Sequence, residues 1–351
     1  MAILPLEIQI LVIEWVFRAS QHARIDYATL RACALVCRAW TATAQRLLFR
    51  RISPDPYNDY HRRIPLLIHT LRTCPHLSAH VRSVRLGPPM LQKDPAAADG
   101  TIAMLELVPH IEGITFATTL SRQDWSADLE ARMRALPLRP AFLALGGEPT
   151  VVNRIVKMWP TIRVLATSTL RRPIHAARRT LRVLPTVQAL TLHSSNIADL
   201  SPKVPLPALH DLTLLHPFWT NPVHSEHLRA VGVLSQIRIL QLRGAFPPQD
   251  VIDDLEQLEG LIIDGPPAQT VSLPKSLHHF GYHSDRDTRA DTGIVTAALC
   301  GLPNLQRVTV TRQGHPDMRS ALEEMCRSCG ADFEMYESAD SFMRPRHIDW
   351  I

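Results

Sequence analysis

The sequence predicts an α/β chain: a short helical head, then an irregular solenoid with parallel strands on its concave face and helices outside. Three observations predict it. Apolar residues fall at helical spacing within residues 8–16, and from about residue 77 one apolar fragment recurs, at intervals of 19–28 residues from Ile162 onward. The third is 28 prolines against 14 glycines, which mark many element boundaries rather than long helices.

The head opens at Leu4-Pro5-Leu6-Glu7-Ile8. Proline in a first helical turn costs no hydrogen bond, and Glu7 complements the positive end of the helix dipole. Ile8, Leu11, Val12, Trp15 and Val16 then define one stripe of an amphipathic helix of about three turns. A polar break from Ser20 to Tyr27, with Asp26 available as a cap, leads to a second helix expected over Thr29–Trp40. A third apolar group, Ala44, Leu47, Leu48 and Phe49, follows at once. Three short helices in about fifty residues bury little surface, so a partner is expected to cover their surplus.

The order and identity of these residues resemble the F-box motif across residues 3–52. The match is carried by Leu4-Pro5-x-Glu7-Ile8, Leu30, Leu35-Val36-Cys37-Arg38-x-Trp40, Leu48-Phe49 and Ile52. The polar stretch Ser20–Tyr27 is longer than the motif's usual one. The resemblance implies a three-helix module that docks on a Skp adaptor and, through it, on cullin and RING subunits. The positions matched are Leu4, Pro5, Ile8, Leu30, Leu35, Val36, Cys37 and Trp40; some of them are expected to face the module's own core. A plain three-helix cap on the solenoid fits the same amphipathicity.

In the recurring fragment an apolar residue is followed by others three and five positions later. It occurs as Ile111/Ile114/Phe116, Ile162/Leu165/Thr167, Val187/Leu190/Leu192, Leu209/Leu212/Leu214, Ile237/Leu240/Leu242, Leu258/Leu261/Ile263, Leu277/Phe280/Tyr282 and Leu305/Val308/Val310. The last two positions alternate as a half-buried strand requires. Helices are expected before several of them, at Val151–Trp159, His175–Leu184, Glu226–Leu234, Asp250–Leu258 and Thr292–Leu302, with a last helix Met318–Cys326 and strand Phe333–Tyr336. From Ile162 the leading residues are 25, 22, 28, 21, 19 and 28 apart, close to the period of leucine-rich repeats, although the asparagine ladder of those repeats is mostly missing. The chain thus resembles fungal F-box proteins with diverged leucine-rich-repeat-like domains. The expected layout is an F-box at 1–53, a linker and first solenoid helix at 54–76, the repeat domain at 77–340 and a tail at 341–351.

Neither a secretory leader nor an 18-residue apolar run is present, and the six cysteines read as reduced thiols, so cytoplasm or nucleus is expected. The net charge of +5 is uneven: residues 1–90 hold 12 basic against 5 acidic side chains. A second basic window, Pro149–Ala198, holds Arg154, Lys157, Arg163, Arg171, Arg172, Arg178, Arg179 and Arg182 and no acid. Arg171, Arg172, Arg178 and Arg179 are the candidates for a substrate or acidic-partner patch, since guanidinium groups fork onto carboxylate and phosphate. Arg171, His175, Arg178 and Arg182 are nonetheless spaced for one exposed helical face, and a solvated face is the preferred reading of the window. Trp159 alone interleaves with it, which argues against a nucleic-acid platform.

Signals for chemistry are weak. Cys326-x-x-Cys329 has the spacing of half a zinc site without a second pair. His278, His279 and His283 lie near Asp285 and Asp287, yet strand alternation divides them between two faces. Leu145-Gly146-Gly147-Glu148 lacks the rest of a phosphate-loop fingerprint and reads as a turn. No catalytic residue, metal or cofactor is therefore assigned. The function expected from the resemblance is substrate recognition in an SCF-type ubiquitin ligase, non-catalytic itself, with an unknown protein as substrate. The alternative is an F-box/repeat scaffold acting outside the ligase.

Overall fold

The computed structural model describes residues 5–21, 27–53, 60–87, 95–168, 185–193, 200, 206–215, 222–243, 246–264, 271–283, 292–311 and 316–336. The chain divides into two compact units between Ile162 and Arg163. Both are α/β with all-parallel strands in sequential order.

The first unit begins with the helical head: α1 (Leu6–Gln21), α2 (Tyr27–Val36) and α3 (Arg38–Arg50). The second helix expected over Thr29–Trp40 is in fact interrupted. Cys37 is extended at φ −160° and ψ 163°, and its carbonyl accepts the amides of Trp40 and Thr41, which starts a new helix. Thr41 Oγ1 also donates to the Ala34 carbonyl at 2.9 Å and so ties the end of α2 to the start of α3.

α3 runs straight into β1 (Arg51–Ile52), and Ile52 pairs in register with Val84 of β2 (Ser83–Leu86). Between them lie α4 (Tyr60–Thr73) and α5 (Pro75–Ser78). The unit continues through α6 (Pro95–Glu106), β3 (Gly113–Leu120), α7 (Ala127–Ala135), β4 (Phe142–Gly147) and α8 (Pro149–Met158). Ile52, Val84, Ile114 and Leu143 form one buried rung across the four strands. Two fragments of the repeat went unrecognised in the sequence, Val81/Val84/Leu86 and Pro140/Leu143/Leu145, and all six residues are buried.

The second unit holds β5 (Val164–Ser168), β6 (Ala189–His193), β7 (Asp211–Leu215), α9 (Pro222–Val231), β8 (Ile239–Arg243), α10 (Gln249–Asp253), β9 (Gly260–Asp264), β10 (His279–His283), α11 (Thr292–Cys300), β11 (Arg307–Thr311), α12 (Pro316–Cys329) and β12 (Asp332–Tyr336). A single 3-10 turn, Leu234–Gln236, stands where the helix over Glu226–Leu234 was expected to end. α10 is one and a half turns long, because Asp254 closes it well short of Leu258. The helix expected over His175–Leu184 lies outside the described residues.

Every residue of the eight recognised fragments is buried. Register explains why: Leu165, Leu190, Leu212, Leu240, Leu261, Phe280 and Val308 are successive partners along the sheet, each covering its neighbour. At about 1.5–3 kcal/mol per fully buried large apolar side chain, this ladder is the main cohesive force of the unit. The corner before each strand repeats as well. The carbonyls of Arg163, Gln188, His210, Arg238, Glu259 and His278 each accept two amides from the next repeat.

One expectation fails here. Strands β7, β8, β9 and β11 are not half-buried: Thr213, Gln241, Ile262 and Thr309, on the face opposite the ladder, are all less than 10% exposed. Parallel strands are often buried on both faces, and at these four positions the side chains opposite the ladder are too.

Candidate partner-docking surface

The head has a small core of its own. Ile13 of α1, Leu30 of α2 and Leu47 of α3 are buried together, with Cys33, Trp40 and Leu48 packed around them. Two polar ties hold α1 in place. Gln9 accepts a hydrogen bond from the indole Nε1 of Trp40, and Glu14 pairs with Arg46 at 2.6 Å.

These ties and the burial of Ile13 leave other apolar residues of α1 outside the core. With Gln9, Ile13 and Glu14 turned toward α3, the stripe of Ile8, Leu11 and Val12 is left 43%, 58% and 47% exposed. At the far end of α2, Leu35 and Val36 are 87% and 62% exposed. Five of the seven exposed large apolar side chains among the described residues thus belong to this head. The Gln9–Trp40 bond joins the first turn of α1 to the residues just past Cys37, so Ile8 and the Leu35–Val36 tip share one end of the head.

The motif positions therefore separate into two groups. Leu30 is fully buried and Trp40 packs on the core, so both act inside the head. Pro5, Ile8, Leu35, Val36 and Cys37 are exposed and available to a partner. Leu4 lies outside the described residues. Leu11 and Val12 join the exposed set although the motif comparison did not select them; their spacing with Ile8 at i, i+3 and i+4 was the signal.

The other candidates are placed differently. Arg171, Arg172, Arg178 and Arg179 lie outside the described residues. Arg154, from the same basic window, forms an ion pair with Glu130, which also accepts from Arg134 and from the indole of the buried Trp125. Its guanidinium thus anchors α8 to α7.

Cys326 is buried on α12, and burial pushes its thiol up to about 11, which keeps it protonated at neutral pH. Cys329, one turn on, is exposed and donates to the Cys326 carbonyl. Among the described residues no cluster of three His, Cys, Asp or Glu side chains has the arrangement of a metal site. His279 is bonded to Thr309 Oγ1 at 2.9 Å across the sheet.

Gly146 and Gly147 are not a turn: they end β4 alongside β3, and Glu148 caps α8. A Cβ on Gly147, at φ 151°, would stand 2.3 Å from the Leu120 carbonyl oxygen, so glycine is required by the close approach of the two strands. No helix among the described residues is long and apolar enough to cross a membrane. No protein-family profile matches the chain, and no curated protein is detectably similar to it.

Proposed function

We propose that the chain is a substrate-recognition subunit of an SCF-type ubiquitin ligase. The head docks on a Skp adaptor as an F-box does, and the leucine-rich-repeat-like remainder takes a protein substrate. One observation carries the reading: at the motif positions the chain buries Leu30 in a minimal core and packs Trp40 against it while leaving Ile8, Leu35, Val36 and Cys37 at the surface. Soluble proteins seldom leave an apolar group this concentrated uncovered unless a partner uses it.

On this reading the chain performs no bond-making step; it holds a substrate near a conjugating enzyme carried by other subunits. Sequential parallel strands also lack the strand-order reversal at which open α/β sheets form ligand crevices. A polar row at the strand entrances, including exposed Arg238, Glu259 and Gln306, is the natural surface for a protein substrate.

The test is co-purification of the full chain with a Skp adaptor and cullin, beside Leu35→Asp/Val36→Asp. These side chains are exposed, so the double variant should keep its helical signal and melting temperature while losing at least about 30-fold in adaptor affinity, the effect of placing charge in an apolar interface centre. Adaptor binding that survives the double substitution refutes the docking assignment. Trp40→Ala is a poorer probe, because it opens the head's own core.

A further inference from the structure

The apolar tip of the head is framed by cations. From Tyr27 to Arg50 the chain carries four arginines and no acidic residue. Two are turned into the head: Arg46 pairs with Glu14, and the Nε of Arg50 is buried. The other two, Arg31 and Arg38, are exposed and form no ion pair among the described residues.

Their positions matter more than their number. Arg31 precedes Leu35 by four residues and so stands one turn below it on the same face of α2. Arg38 begins α3, two residues beyond Val36 and across the extended Cys37. The two guanidinium groups thus bracket the Leu35–Val36 tip from both directions along the chain. Among the head's described residues the acidic side chains are Glu14, already paired, and Glu7 on the first turn of α1.

We propose that the surface receiving Leu35 and Val36 is bordered by carboxylates that Arg31 and Arg38 engage, so that charge steers the docking of the head. The proposal rests on the adaptor-docking reading and adds the chemistry of the partner's rim. The partner is an adaptor whose apolar pocket is ringed by Asp or Glu. Guanidinium suits this role, since its planar fork pairs with a carboxylate while its alkyl stem packs on apolar surface at the rim. Charges in such a rim act mainly on the rate of encounter and on its salt dependence, whereas the buried apolar centre controls the rate of departure.

The experiment measures association and dissociation rates of the full chain with a purified Skp adaptor, over a salt series, for wild type, Arg31→Glu/Arg38→Glu and Leu35→Ala. The charge-reversed chain is expected to associate about 10-fold more slowly at low salt with little change in dissociation. The gap should close near 0.5 M salt, where the screening length falls to about 4 Å. Leu35→Ala should instead dissociate faster at every salt concentration. Equal association rates for wild type and the charge-reversed chain, with wild type bound, overturn the acidic rim alone. Failure of wild type to bind the adaptor overturns the docking reading and the rim with it.

Discussion

At the scale of single residues, position in the packed chain decides roles that residue type leaves open. Leu30 and Leu35 are the same amino acid on one short helix, five residues apart, and one is wholly buried while the other is 87% exposed. Gln241 shows the converse, a polar side chain only 4% exposed whose Oε1 has no hydrogen-bond partner. An unsatisfied buried carbonyl costs about 1–3 kcal/mol, and an apolar side chain of like volume removes that cost. Gln241→Met should therefore raise stability by about 1 kcal/mol, read as a higher urea midpoint at unchanged slope; a lower midpoint would show that the amide is held by something stronger than packing.

At the scale of elements, periodicity was legible where an element's apolar face is also its inward face. The strands obey this, and eight of their fragments were read from the sequence, whereas Val81/Val84/Leu86 and Pro140/Leu143/Leu145 were missed. α1 obeys it only in part, since Ile8, Leu11 and Val12 of its apolar stripe face out while Gln9 and Glu14 are tied to α3. The end of α2 was missed because the Cys37 break depends on hydrogen bonds formed by Thr41 and Trp40 after the chain has turned. On α12 the buried face carries a titratable group. Burial chiefly, with Cys329 and Glu323 nearby, raises Cys326 from 9.0 to about 11. Below pH 9 the thiol is protonated in both folded and unfolded chains. Above it the unfolded thiol ionises and the folded one does not, so the stability this proton supports is lost as pH rises through about 11. Urea midpoints at pH 8 and pH 10.5 should differ more for wild type than for Cys326→Ala. The same midpoint shift in both would place the alkaline sensitivity elsewhere.

At the scale of the whole molecule, sequential parallel pairing makes each strand's stability depend on its two neighbours. In such an array the interface between repeats, rather than any single repeat, holds the structure. Leu240 stands between Leu212 and Leu261 in the buried ladder of the second unit. Leu240→Ala should cost about 2–5 kcal/mol. Hydrogen exchange should then quicken in β7 and β9 as well as in β8, in contrast to a loss confined to β8, which would mark the strands as independent.

By itself the sequence determined the class of fold, the repeating strand fragment and the helical head, because these depend on the spacing of apolar side chains along the chain. Only the tertiary structure decided which apolar residues are core and which are surface. That choice rests on contacts between residues distant in sequence, such as Trp40 with Gln9 and Arg46 with Glu14, which leave Ile8, Leu11 and Val12 of α1 outside the core. It also decided that Thr213, Gln241, Ile262 and Thr309 are buried opposite the ladder, since alternation along one strand reports nothing about its surroundings.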